Sequence, residues 1–210
     1  MTFANQAYLD SRAQVTLRVV KSKLVDYPNG TDNNLALDDL INHVGPFRSV
    51  PSLRVKKGAD LVVLLRPFKP RSQNGCGSAW VNGANGSELA ADLAFTVVSL
   101  GARDGYYCSK YALAHEIGHV LGSTHDREHS SVAGRYSYSY GYGIEGRFGD
   151  IMSYYDPEIG LFANPDLVSC DGLPCGKPIS EPDAADVAQT FNNTAKTISG
   201  FSLQKFALGQ

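Results

Sequence analysis

The sequence predicts an α/β (α+β) fold: a mixed, twisted sheet over a helix that carries two histidines, then a smaller, mostly irregular C-terminal lobe with a C-terminal helix. Three observations carry this. Runs of β-branched and apolar residues at 14–26, 59–66 and 95–100 have strand length and end at turn signals. Apolar residues at helical spacing fall at 33–44, 109–121 and again after 183. Beyond residue 125 the chain turns to tyrosine and glycine with no helical period.

Each element has its own justification. Residues 14–26 stop at Tyr27-Pro28-Asn29-Gly30, so they read as a strand. Leu35, Leu37, Leu40, Ile41 and Val44 form the stripe of a helix over 33–44, with Asp32 or Asn33 as cap and Gly45-Pro46 as stop; His43 is a boundary residue beside that stripe. The continuous apolar run at 59–66 reads as a fully buried central strand, and strand, helix, strand implies a right-handed crossover with a partly parallel sheet. Gly75 to Val81 is short and glycine-rich, as suits a sheet edge. Residues 95–100 form a further strand, and Gly101 to Gly105 turns the chain into a helix over 109–121. Ser180-Glu181-Pro182-Asp183 starts the last helix, whose apolar face is Ala184, Val187, Ala188, Phe191, Ala195 and Ile198.

A chain of 210 residues, 43% hydrophobic and 19% charged, suits one globular domain over 1–210, with an N-terminal lobe to about 125 and a C-terminal lobe over 126–210. The net charge of -2 and the lack of basic clusters beyond Arg54 to Lys57 argue against a nucleic-acid partner. The tyrosines at 136–142 lack basic interleaving and read as loop packing. No apolar run has the length of a membrane span, and the start lacks the regions of a signal peptide. Four cysteines favour an oxidising compartment, so the expectation is a secreted protein in mature form, a monomer with its propeptide removed. They permit three pairings. Spacing favours Cys170 with Cys175 around a small loop and Cys76 with Cys108; a thiolate metal site or free thiols are the rival readings.

The most informative stretch runs from Tyr111 to Asp126. His115 and His119 are four apart and share one helix face, as two ligands to one metal require. Glu116 can reach a water polarised by that metal. Gly122 supplies the left-handed turn after which His125 can return as third ligand. His129 falls in the following polar loop and reads as solvated, since three histidines and a water complete a catalytic zinc site.

The whole pattern H-E-x-x-H-x-x-G-x-x-H resembles the metzincin metalloproteases. That resemblance implies a metzincin fold, a Zn2+ cofactor, a protein or peptide substrate and a methionine turn at Met152. Asp126 after the third histidine resembles the reprolysin branch, where that residue supports the site without binding metal. Tyr154 matches the place of a metal-proximal tyrosine in astacins and serralysins. By the same resemblance Ser78, Ala79, Trp80 and Val81 bind extended substrate antiparallel. Gly75-Cys76-Gly77 before the edge strand and Phe162-Ala163-Asn164-Pro165 after the methionine turn look most like bacterial peptidyl-Asp metallopeptidases, which implies cleavage on the N-terminal side of Asp. Arg147, with Arg135 and Lys177 behind it, is then the cation for that carboxylate. The alternatives are a non-catalytic zinc-containing binding module, a small-molecule metallohydrolase, and a metzincin with apolar specificity after the scissile bond.

Overall fold

The chain begins with a helix that its polar start conceals. In the computed structural model, which describes residues 1–202, α1 (Thr2–Asp10) buries Ala4, Ala7 and Tyr8 at helical spacing. Tyr8 stacks on Phe162 and meets Phe191 edge-on, tying this helix to the far end of the chain. Residues 14–26, expected as a strand, form none. Asn5 takes their backbone instead: its amide accepts from Leu17 N at 2.8 Å and donates to Leu17 O at 2.9 Å. Val15 and Leu17 pack against the core, whereas Val19 and Leu24 stay exposed.

The expected helix appears as α2 (Asn33–Ile41), capped by Asp32, whose carboxylate accepts from Asn34 N at 2.8 Å. It stops before Val44 because His43 takes a left-handed backbone, φ 59°. A second unforeseen helix, α3 (Val50–Lys57), ends at left-handed Gly58. Its Arg54 is not a surface charge: the guanidinium is buried and donates to the carbonyls of Ala59, Asp60 and Ala91.

The sheet has three strands in the order β1-β3-β2: β1 (Val62–Pro67), β2 (Gly77–Ala79) and β3 (Phe95–Leu100). β1 is parallel to β3 and β2 antiparallel to it. The expected central strand is therefore an edge, with Leu65 exposed, and the central position belongs to β3, five of whose six residues are buried. The expected crossover between 14–26 and 59–66 does not form, and the parallel pair is β1 with β3. A small hairpin, β4 (Ala102–Arg103) with β5 (Tyr106–Tyr107), leads into α4 (Ala112–Val120), which is shorter than 109–121 at both ends.

α4 lies against β3 and β2. One apolar cluster joins Ala114, Ile117 and Val120 of this helix to Ile151, Met152 and Phe162. The same cluster takes in Val187, Phe191 and Ile198 of α5 (Val187–Ile198). Between α4 and α5 the chain is mostly irregular, apart from the hairpin of β6 (Gly143–Ile144) and β7 (Phe148–Gly149). α5 starts later than Ser180 to Asp183 suggested. Lys177 and Ala185 exchange both backbone hydrogen bonds, which holds the intervening residues in turns, and Asp186 becomes the cap through Gln189 N. Both expected disulfides, Cys76–Cys108 and Cys170–Cys175, are formed, so the thiolate metal site and the free thiols are excluded. No helix among the described residues is long and apolar enough to cross a membrane. Residues 203–210 of the expected C-terminal lobe lie outside the described residues.

Candidate metal centre and active site

α4 places His115 and His119 on one face, one turn apart, with ring centroids 4.9 Å from each other. Each is oriented through its inner nitrogen. His115 Nδ1 donates to Ile151 O at 2.6 Å and His119 Nδ1 to Ser123 O at 3.0 Å, since a carbonyl can only accept. Their outer nitrogens are left as lone pairs. Gly122, at φ 96°, reverses the chain just past the helix, where a Cβ would stand 3.0 Å from Arg135 Cβ and 3.3 Å from Asn82 O. His125 then returns to the same point. Its Nε2 lies 3.2 Å from that of His115 and 3.1 Å from that of His119.

The donor set fits a metal ion. The lone pairs of His115 and His119 point to one place beside His125 Nε2, and a cation there would be met by all three nitrogens. Burial lowers the pKa of each ring, His125 to about 4, so the imidazoles are uncharged and suited to ligation. Among the described residues this is the only cluster of that kind.

Glu116 faces the edge strand from the same helix and is 7% exposed. Burial pushes its carboxyl up to about 8, and a nearby divalent cation would act in the opposite direction. The space it occupies exists because residue 77 is glycine: a Cβ there would stand 2.4 Å from Glu116 Oε1. The sequence offers that glycine as a mark of a sheet edge and of a family resemblance, not as space for Glu116. Tyr154 hangs over the third histidine, its hydroxyl 3.1 Å from His125 Nε2.

Asp126 is buried and its carboxylate collects N–H donors: Tyr154 N at 3.0 Å, Glu128 N at 3.1 Å and His129 Nδ1 at 2.8 Å. Met152 lies fully buried beneath α4, where a Cβ on Gly118 would be 2.5 Å from its sulfur. The turn it sits in is pinned by Asp150, a residue whose role the sequence did not disclose. Asp150 accepts from Met152 N at 3.0 Å and Ala163 N at 2.7 Å, and burial outweighs those bonds to push its carboxyl up to about 8.

Ser78 and Ala79 lie on β2, whose other edge pairs with no strand among the described residues. Trp80, 54% exposed, and Val81 follow the strand, and Asn82 N then donates to His119 O at 3.0 Å, locking this edge to the histidine helix. The three cations named for substrate recognition are all engaged. Arg147 Nε meets Asp171 Oδ2 at 2.6 Å, Arg135 donates to the carbonyls of Gly86 and Ser87, and Lys177 pairs with Asp183.

Residues 1–180 match the family described as metallo-peptidase family M12B, reprolysin-like. The chain belongs to that family. Curated relatives are named peptidyl-Asp metalloendopeptidase: one from Pseudomonas aeruginosa is 32% identical over 95% of this chain and 35% of its own length. Another, from Stenotrophomonas maltophilia, is 28% identical over 94% of this chain and 45% of its own. The chain thus spans between a third and a half of the relatives it matches. A solved structure titled as a chaperone-substrate complex shares the fold, with TM-score 0.69 at 20% identity over 95% of this chain and 30% of that one. The reprolysin-like expectation and the mixed fold are borne out.

Proposed function

We propose that this chain is the catalytic domain of a secreted zinc endopeptidase that cuts proteins on the N-terminal side of aspartate. The observation that carries it is the convergence of His115, His119 and His125 at one point with Glu116 and the Tyr154 hydroxyl beside it. Zinc held by the three Nε2 atoms would supply Lewis acidity, making a water acidic enough to lose its proton near neutral pH.

The chain's own residues do the rest. Glu116 accepts the water's proton as the oxygen attacks the peptide carbonyl, then returns it to the departing nitrogen. The Tyr154 hydroxyl donates to the oxygen that gains charge. The free edge of β2 from Ser78 to Ala79, with Trp80 and Val81 beyond it, aligns the peptide by backbone hydrogen bonds. Asp126 and Met152 hold the loops under the site without touching substrate. We read residues 1–125 and 126–210 as two lobes of one domain, acting as a monomer and released from a propeptide.

A non-catalytic zinc module is disfavoured, because a closed structural site needs a fourth protein ligand and has no use for Glu116. Aspartate specificity follows the relatives' name. Arg147 reads that carboxylate if substrate displaces Asp171 from its fork. Lys110, five residues before His115, is the companion candidate: its ammonium rests on the rings of Phe3 and Tyr111, with the Glu158 carboxylate as a nearby charge.

The test is a peptide-library digest with mass-spectrometric site mapping, run with wild type, Glu116→Gln, Arg147→Ala and Lys110→Ala. Wild type should cut before Asp, and Glu116→Gln should keep one zinc per chain yet lose at least about 10²-fold in turnover. Near wild-type rates in Glu116→Gln would remove the mechanism. Apolar residues after the scissile bond would remove the aspartate reading alone.

A further inference from the structure

We infer that His129 is a positioning residue for the Tyr154 phenol, holding it over the point where the three histidines converge. This rests on the reading of Tyr154 given above. Tyr154 as a residue is 58% exposed, so burial in the core does not fix its ring. Three rings touch it: His125 at 4.5 Å, His115 at 6.4 Å, and His129 at 5.5 Å with the planes at 90°. Of these only His129 is free of the metal cluster.

His129 is itself held on two sides. Its Nδ1 donates to Asp126, 2.8 and 3.0 Å from the two oxygens, and its ring meets Tyr155 edge-on at 5.4 Å. Tyr155 is anchored in turn by its hydroxyl, which donates to Glu128 Oε2 at 2.5 Å. Asp126 also accepts Tyr154 N at 3.0 Å. One carboxylate therefore fixes the tyrosine's backbone while the histidine it orients walls in the tyrosine's ring. An exposed phenol has several χ1 wells, and an edge-to-face contact is strong enough to bias them about threefold to tenfold. His129 was expected to be merely solvated, and the contacts give it this task instead.

Two measurements test the inference. In the metal-free protein labelled with 13C-tyrosine, the Tyr154 ring signal is identified by its loss in Tyr154→Phe. His129→Ala should move that signal toward the position of a freely exposed tyrosine, and His129→Phe, which keeps a ring there, should move it less. In the zinc protein His129→Ala should lower kcat about threefold to tenfold with KM and zinc content unchanged. In a Tyr154→Phe background the same change should cost nothing further, because there is no hydroxyl left to place. An unmoved signal, losses that multiply, or loss of zinc in His129→Ala would each overturn the assignment. If Tyr154→Phe alone turns over at the wild-type rate, the reading of the phenol falls and this inference with it. If Tyr154→Phe is slow and the losses multiply, the phenol's role stands and only that of His129 is refuted.

Discussion

Gly77→Ala should disable the site without touching any residue that performs the chemistry. A Cβ on residue 77 would lie 2.4 Å from Glu116 Oε1 and 2.6 Å from both Cδ and Cγ, where ordinary contact begins at 3.4 Å. Glu116 must retreat by about 1 Å, and a displacement of that size in a reacting group costs on the order of 10²-fold in rate. The backbone gives no separate reason for a loss: Gly77 is absent from the positive-φ positions, and alanine in a strand costs less entropy than glycine. The variant should therefore melt at or slightly above the wild-type temperature, bind one zinc, and show kcat down by about two orders of magnitude with KM little changed. Steady-state kinetics on one peptide, zinc per chain and a thermal melt decide it. Turnover of Gly77→Ala within about twofold of wild type, with zinc in place, would refute the argument that this glycine makes space for the base.

Two further predictions concern stability. Tyr8 has a fully buried hydroxyl with no hydrogen-bond partner among the described residues, so Tyr8→Phe should stabilise the fold by roughly 1 kcal/mol in chemical denaturation, and a destabilised variant would show that the hydroxyl is satisfied. Asp150 has its carboxyl raised from 3.8 to about 8 in the fold, so the native state holds a proton that the unfolded chain releases. Its contribution is complete below 3.8 and is lost as pH rises toward 8. Unfolding of the metal-free protein at several pH values, beside Asp150→Asn, should show wild type losing ground to the variant across that window by about 3–5 kcal/mol. A constant difference would mean that Asp150 is ionised throughout.

The sequence by itself determined the three-histidine cluster, because helical spacing is a local property. Four residues bring His115 and His119 to one face, and Gly122 is the residue a left-handed turn calls for, so the return of His125 could be read from the chain. β3, the cap of α2 and both disulfides were legible for related reasons: each rests on short-range pattern, capping chemistry or cysteine count.

Tertiary structure decided what depends on partners distant in sequence. Residues 14–26 have strand composition, yet whether they join a ladder is settled by what lies beside them, and there the amide of Asn5 takes the backbone. The apolar run in β1 cannot say whether it is flanked on one side or two, so a strand that reads as central lies at the edge. The onset of α5 moved because Lys177 and Ala185 pair first. Arg147 looked available until the fold brought Asp171 against it, and His129 looked solvated until Asp126, Tyr154 and Tyr155 closed around it. Gly77 and Asp150 show the same limit at the site itself. A missing Cβ and a buried carboxylate acquire meaning only from the atoms that another part of the chain places within 3 Å of them, Glu116 Oε1 at 2.4 Å in one case and Ala163 N at 2.7 Å in the other.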